Sequence, residues 1–310
     1  MSLEDCFRSG KRILMEGALG ERLKREYQLD FDEFAAMAGL IYSVKGRQAL
    51  YHLWSEYIGI AARYNLPFIA TTPTRRANRD RVQKAGYDST IIRDNVNFLK
   101  CVRCDYPNTE MYIGGLMGCK GDAYKADEVL DRKEAEKFHG WQADLFSTAG
   151  VDFLFAGIMP ALSEAIGMAD AMSQTGLPYI ISFMLRSDGC LIDGTRLADA
   201  IQIIDNSVKK TPLCYMTNCV HPLVVQKTLS YDFNQTTYVK ERFRGIQANT
   251  STLSPDVLDD SAVLMGTGPE ELAKDITKLQ EMMDITICGG CCGTDARHIE
   301  EMAKNLSKLN

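Results

Sequence analysis

The sequence predicts a single (β/α)8 barrel, and three observations predict it. Short β-rich runs recur eight times, stretches of helical periodicity lie between them, and polar or unusual residues gather where the runs end. A chain of 310 residues suits one such barrel, and no Pro- or Ser-rich linker divides it, so residues 1–310 are read as one domain. A doubly wound open sheet is the alternative, but no GxGxxG follows the first run.

Taken in order, the first two strands are expected at 12–16 and 67–72, apolar runs that stop at Glu16-Gly17-Ala18 and Thr71-Thr72-Pro73-Thr74. A helix at 48–64 separates them, with apolar residues at helical spacing. The third run, 110–115, closes on Gly114-Gly115 and precedes a helix at 133–148. Run 152–156 is followed by a helix at 162–175, with Ser163 suited to capping its start. Run 179–184 leads to a helix at 197–206. Run 213–218 stops at Asn218-Cys219 ahead of a helix at 222–228. Run 243–248 ends at Ala248-Asn249, and a helix at 269–283 opens on Pro269 just after Gly268. The last run, 284–289, ends in Gly290-Cys291-Cys292, and Asp295 caps a closing helix at 295–309. Trp54 and Trp141 fall on helical stripes and read as core.

Composition narrows the function classes. A net charge of -6 argues against a general binder of phosphate backbones, so no nucleic-acid partner is expected. The basic cluster Arg75-Arg76, Arg79 and Arg81 reads as a solvated helix face, with anion binding as the alternative. No apolar stretch approaches the ~20 residues of a membrane helix, so no membrane partner is expected. The first dozen residues are polar and mixed in charge rather than secretory, and ten cysteines in this length do not form a disulfide scaffold. A reducing cytoplasm is the expected location, and assembly into a homo-oligomer stays open.

The cysteines carry the chemistry. Cys291 and Cys292 lie between glycines after an apolar run, and Cys219 ends another run in the same way. If the two runs are neighbouring parallel strands, Cys219, Cys291 and Cys292 converge on one ion. Three thiolates with one open position make a catalytic zinc site rather than a structural one. Two rival readings remain: buried small filler, or a redox pair, although adjacent cysteines close a strained ring and lack the usual spacer. Other thiols and imidazoles read as structure. His221 opens a helix, strand alternation turns Cys288 away from the site, and Cys214 starts its strand at the wrong end of the barrel. Cys101 and Cys104 form a CxxC with no partner pair.

These residues resemble the homocysteine S-methyltransferase family over nearly the whole chain. The family's acidic residue followed by Gly-Ala-x-Gly resembles Glu16-Gly17-Ala18-Leu19-Gly20, its sixth-strand cysteine resembles Asn218-Cys219, and its Gly-Gly-Cys-Cys-Gly-Thr signature matches Gly289 to Thr294 with His298-Ile299 beyond. Glu56-Tyr57-Ile58, Ala61-Ala62, Gly150-Val151-Asp152 and Asp193-Gly194-Thr195 also fit. The resemblance implies zinc-dependent methyl transfer to a thiol, with Cys219, Cys291 and Cys292 as ligands. A thiol acceptor, homocysteine or a related thiol, is then activated as a zinc thiolate and attacks the methyl of a donor. No catalytic residue is needed beyond that activated thiol. Without an added cobalamin or folate module, a small sulfonium or ammonium donor is expected. Substrate contacts are expected at Glu16, Gly17, Thr72, Asn218 and Asn249.

Three departures stand out. Gly157 lies where the family carries an acidic residue that holds the substrate amino group, Thr71-Thr72-Pro73-Thr74 replaces Thr-Asn-Thr, and Glu16 replaces the commoner aspartate. Glu16 thus becomes the expected receiver of a cationic amino group, and homocysteine recognition is expected to be altered. A barrel that binds thiol or metal without turnover is the alternative from another class.

Overall fold

The computed structural model describes residues 1–252 and 266–310. Eight strands close in sequence order into a barrel with every neighbouring pair parallel: β1 Ile13–Met15, β2 Phe68–Thr71, β3 Met111–Gly118, β4 Phe153–Met159, β5 Tyr179–Phe183, β6 Cys214–Val220, β7 Phe243–Ala248 and β8 Ile287–Gly290. Closure leaves no unpaired edge. Twelve α-helices are seen among the described residues: α1 Leu3–Arg8, α2 Gly20–Arg25, α3 Val44–Arg63, α4 Arg79–Lys84, α5 Thr90–Cys104, α6 Arg132–Ala149, α7 Leu162–Gln174, α8 Leu197–Ser207, α9 Pro222–Ser230, α10 Thr237–Arg242, α11 Pro269–Met282 and α12 Ala296–Leu306. None is long and apolar enough to cross a membrane.

Strand alternation divides the apolar residues into two cores. Ile13, Met15, Ile69, Tyr112, Phe153, Phe155, Ile180, Cys214, Met216 and Ile287 fill the barrel, and Leu3 and Cys6 of α1 join them, so α1 plugs the end at which the strands begin. The intervening residues, among them Leu14, Phe68, Ile181, Tyr215 and Cys288, pack outward against the helices. Cys288 accordingly meets Gln280 of α11, away from the far rim. Trp54 is fully buried on α3, as its helical stripe predicts, while Trp141 is only partly buried beside the outer core.

Several expectations are corrected. Ser163 does not cap α7: its hydroxyl donates to Leu130 O, while Asp193, from the β5–α8 connection, accepts from Leu162 N at 2.7 Å and covers that helix end. The cap is supplied from across the fold, which local sequence does not reveal. Cys101 and Cys104 lie exposed in the last turns of α5. β6 and β8 are not neighbours, because β7 lies between them. β3 and β4 run three residues beyond their expected ends at 115 and 156, to Gly118 and Met159.

A candidate metal centre at the strand C-termini

The ends of β6 and β8 are built differently, and together they gather three thiols. In β6 the register shifts between Asn218 and Val220, and Cys219 takes the left-handed backbone at φ 64°. This conformation is uncommon for residues other than glycine and clusters at functional sites. At β8 the glycines permit close approach. A Cβ on Gly290 would lie 2.2 Å from Thr294 Oγ1, and Gly293, at φ 81°, would place one 1.9 Å from Thr250 Oγ1. The turn between them is pinned by Cys291 N donating to Ala248 O at 2.7 Å and Thr250 N donating to Cys292 O at 3.2 Å. Thr294 Oγ1 donates to Cys291 O and accepts from Ala18 N, tying the turn to the loop after β1. Glu21 accepts from Gly293 N.

The result is a cluster in which the sulfurs of Cys219, Cys291 and Cys292 all lie within 4.8 Å of one another, with 3.4 Å between Cys219 and Cys292. Their protonation is shared. Hydrogen bonds from Cys291 and Cys292 hold the Cys219 thiol well below its ordinary range, against burial. The thiols of Cys291 and Cys292 are pushed up in turn, chiefly by their hydrogen bonds to Cys219. A second negative charge beside the first is disfavoured without a cation to offset both. Three soft, convergent sulfurs, with no positive charge in hydrogen-bond contact among the described residues, form a donor set that fits zinc.

Of the residues expected to meet substrate, Asn249 reaches the cluster, its Nδ2 lying 3.9 Å from Cys219 Sγ while its Oδ1 accepts from Ser251 N. Asn218 and Thr72 have framework contacts. Asn218 Oδ1 accepts from Ile158 N on β4 and Ser182 Oγ on β5, at 2.9 and 2.5 Å. Thr72 Oγ1 accepts from Leu116 N and pairs with Thr74 Oγ1. Gly17 leaves room for Tyr57, whose Oη would be 2.7 Å from a Cβ there. Glu16 is buried, its oxygens accepting from Thr71 N, Thr71 Oγ1 and Trp54 Nε1. Among the described residues no cation is paired with it, and burial pushes its pKa up to about 7. Among the described contacts, none joins the Glu16 carboxyl to the cysteine cluster.

His221 is no part of the donor set: its Nδ1 accepts from Leu223 N as the cap of α9, and its Nε2 meets Thr267 Oγ1 at 3.0 Å. Gly157 leads into Ile158, which stands at φ 55° where β4 loses register. Sequence reasoning missed Tyr124, whose Oη lies 3.6 Å from Cys219 Sγ. It sits in the long β3–α6 connection, where no strand end marks it. Buried Glu164 anchors that connection, its Oε1 accepting from Lys120 N at 2.7 Å and meeting His139 Nε2 at 2.9 Å.

A family model for homocysteine S-methyltransferase matches residues 13–306. No curated protein matches the chain. Among solved structures, the oxidised form of the homocysteine methyltransferase MmuM from Escherichia coli is similar at TM-score 0.76 and 18% identity, covering 98% of each chain. Its metallated form is similar at TM-score 0.76 and 18% identity, over 97% of this chain and 98% of the other. Its apo form gives TM-score 0.66 at 18% identity, over 96% of each chain. These likenesses bear on the fold.

Proposed function

The chain belongs to the homocysteine S-methyltransferase family, and from that premise we propose that methyl transfer to a small-molecule thiol takes place at Cys219, Cys291 and Cys292. It is a zinc-dependent S-methyltransferase, and the observation that carries the site is the convergence of these three sulfurs within 4.8 Å. When bound, zinc supplies a Lewis-acid position at which an acceptor thiol is held deprotonated at neutral pH. MmuM, which shares the fold, has a metallated form.

The chain's own residues do the rest. Cys219 is aimed by its left-handed backbone, and the β8 turn holds Cys291 and Cys292 in place through Thr250 and Thr294. Tyr124 and Asn249 flank the buried sulfur of Cys219. The acceptor sulfur forms its bond to the methyl carbon in line as the carbon–heteroatom pair leaves with the donor, and the thiol proton goes to solvent. Glu16, buried without a counter-charge among the described residues, is the residue we assign to an amino group of the substrate, which would supply a cation for it. Its bonds to Thr71 and Trp54 mean that this role requires the carboxyl to share its acceptor capacity. Ten free cysteines suit a reducing cytoplasm.

The test is metal analysis. About one zinc per chain is expected, and the double variant Cys291→Ala, Cys292→Ala should lose it together with methyl transfer while its far-ultraviolet circular dichroism is retained. Full zinc occupancy in that variant would remove the basis of the assignment.

A further inference from the structure

The first turn of α7 holds both ends of the β3–α6 connection, which carries Tyr124. At one end Glu164 Oε1 accepts from Lys120 N at 2.7 Å, and at the other Ser163 Oγ donates to Leu130 O at 3.0 Å. Lys120 is gripped from its other side as well, since Arg81 Nη2 of α4 donates to Lys120 O at 3.0 Å. Between these anchors Tyr124 is half-buried and brings its Oη to 3.6 Å from Cys219 Sγ. Glu164 is itself fixed from α6: His139 Nε2 meets its Oε1 at 2.9 Å, and both side chains are only 1% exposed. The platform beneath is tight. A Cβ on Gly167, one turn further along α7, would fall 2.2 Å from Arg132 O, so α6 and α7 approach to backbone contact there.

The arrangement carries a cost. Glu164 Oε2 has no hydrogen-bond partner among the described residues, and a buried polar oxygen left in that state is penalised. An apolar residue of similar volume would pack α6 against α7 without that penalty. What an apolar residue cannot do is accept from Lys120 N. We propose that Glu164, held by His139, is a positioning residue of the metal centre: it seats the β3–α6 connection so that Tyr124 stands against Cys219. This rests on the reading of Cys219 as a zinc ligand. The Tyr124 hydroxyl donates to that sulfur, so loss of the seat removes a polar contact from one thiol of the three. Cys291 and Cys292 keep theirs, because Ala248, Thr250 and Thr294 pin the β8 turn independently.

The test is the reactivity of Cys219 in the full chain, stripped of metal and kept reduced, toward iodoacetamide at one pH, followed thiol by thiol with peptide mass spectrometry. Cys219 should react about ten-fold faster in Tyr124→Ala and in Glu164→Leu than in the wild type. The double variant should be no faster than the faster single one, since both changes remove the same contact. Glu164→Gln keeps an oxygen for Lys120 N and should stay near the wild-type rate. Cys288, fully buried on the outer side of β8, is the control in the same digest and stays slow wherever the barrel is folded. If Glu164→Leu exposes Cys288, Ser163→Ala replaces it; that change frees only the Leu130 end and should raise the Cys219 rate about three-fold. An unchanged Cys219 rate in a folded Glu164→Leu or Ser163→Ala variant, or a double variant in which the two accelerations multiply, overturns the proposal. If the wild type binds no zinc while Cys219 still answers to Glu164 through Tyr124, the metal reading falls and the seating stands.

Discussion

Asn218 illustrates how a residue beside a candidate ligand can brace the strands around it. One amide oxygen joins β6 to β4 and β5 and supports Ile158, a β-branched residue in a backbone region that such residues avoid. Asn218→Leu removes the acceptor from two buried donors, so a loss of roughly 2–5 kcal/mol in unfolding free energy is expected, with weaker zinc retention; Asn218→Asp keeps the acceptor and should lose less. Denaturant titration of both variants decides it. Glu16 gives a second expectation at this scale. Its folded pKa is raised from the ordinary 4.5 to about 7, so between those values the folded state holds more protons than the unfolded one. Stability therefore falls as pH rises through that window. Relative to Glu16→Gln, the wild type should lose about 3 kcal/mol from about pH 4 to about pH 8, read from denaturation midpoints at both ends. A flat difference would mean that Glu16 is ionised at little cost.

At the scale of elements, β4 concentrates what distinguishes this chain. Its register slips between Ala156 and Met159, and the slip includes Gly157. A Cβ on Gly157 would meet Leu116 Cδ1 at 2.8 Å, the far end of a flexible side chain, so a larger residue there displaces Leu116 rather than backbone. Gly157→Glu should therefore fold, and its turnover of homocysteine should rise; an unchanged turnover would show that the strand end has been rebuilt for other reasons. The regular parts of such elements were legible in the sequence. β7 has its expected bounds, and α6, α8 and α11 lie within a residue of theirs, because apolar periodicity records which face is buried. What escaped was non-local: the left-handed turn at Cys219, the cap on α7 from Asp193, and Tyr124 arriving from a connection. None of these leaves a periodic trace. Cys219, Cys291 and Cys292 were legible because the glycines around the last two are required by close backbone approach. The contacts of Thr72 and Asn218 were not, since a polar residue at a strand end reads alike whether it faces a ligand or braces a neighbouring strand.

For the whole molecule, the barrel separates support from chemistry. Aromatic and branched residues fill the end plugged by α1, and the sulfurs collect at the opposite rim. Strand β7 lies between the strands that carry the cysteines, pairing with β6 on one side and β8 on the other. With the proposed ligand set, an ion held by all three sulfurs would link the end of β6 to the end of β8 across β7, as a hoop across that arc of the wall. Opening either seam would then require ligand loss as well as broken ladder hydrogen bonds, so occupancy is coupled to the closure of the barrel itself. Amide exchange measured with and without chelator should show this as slower opening of Ile246 and Ala248 in the loaded protein, with little change at Ile69 on the far wall. The same tie would make metal starvation a mechanical event for the fold as well as a chemical one, loosening one arc of the cylinder before the rest.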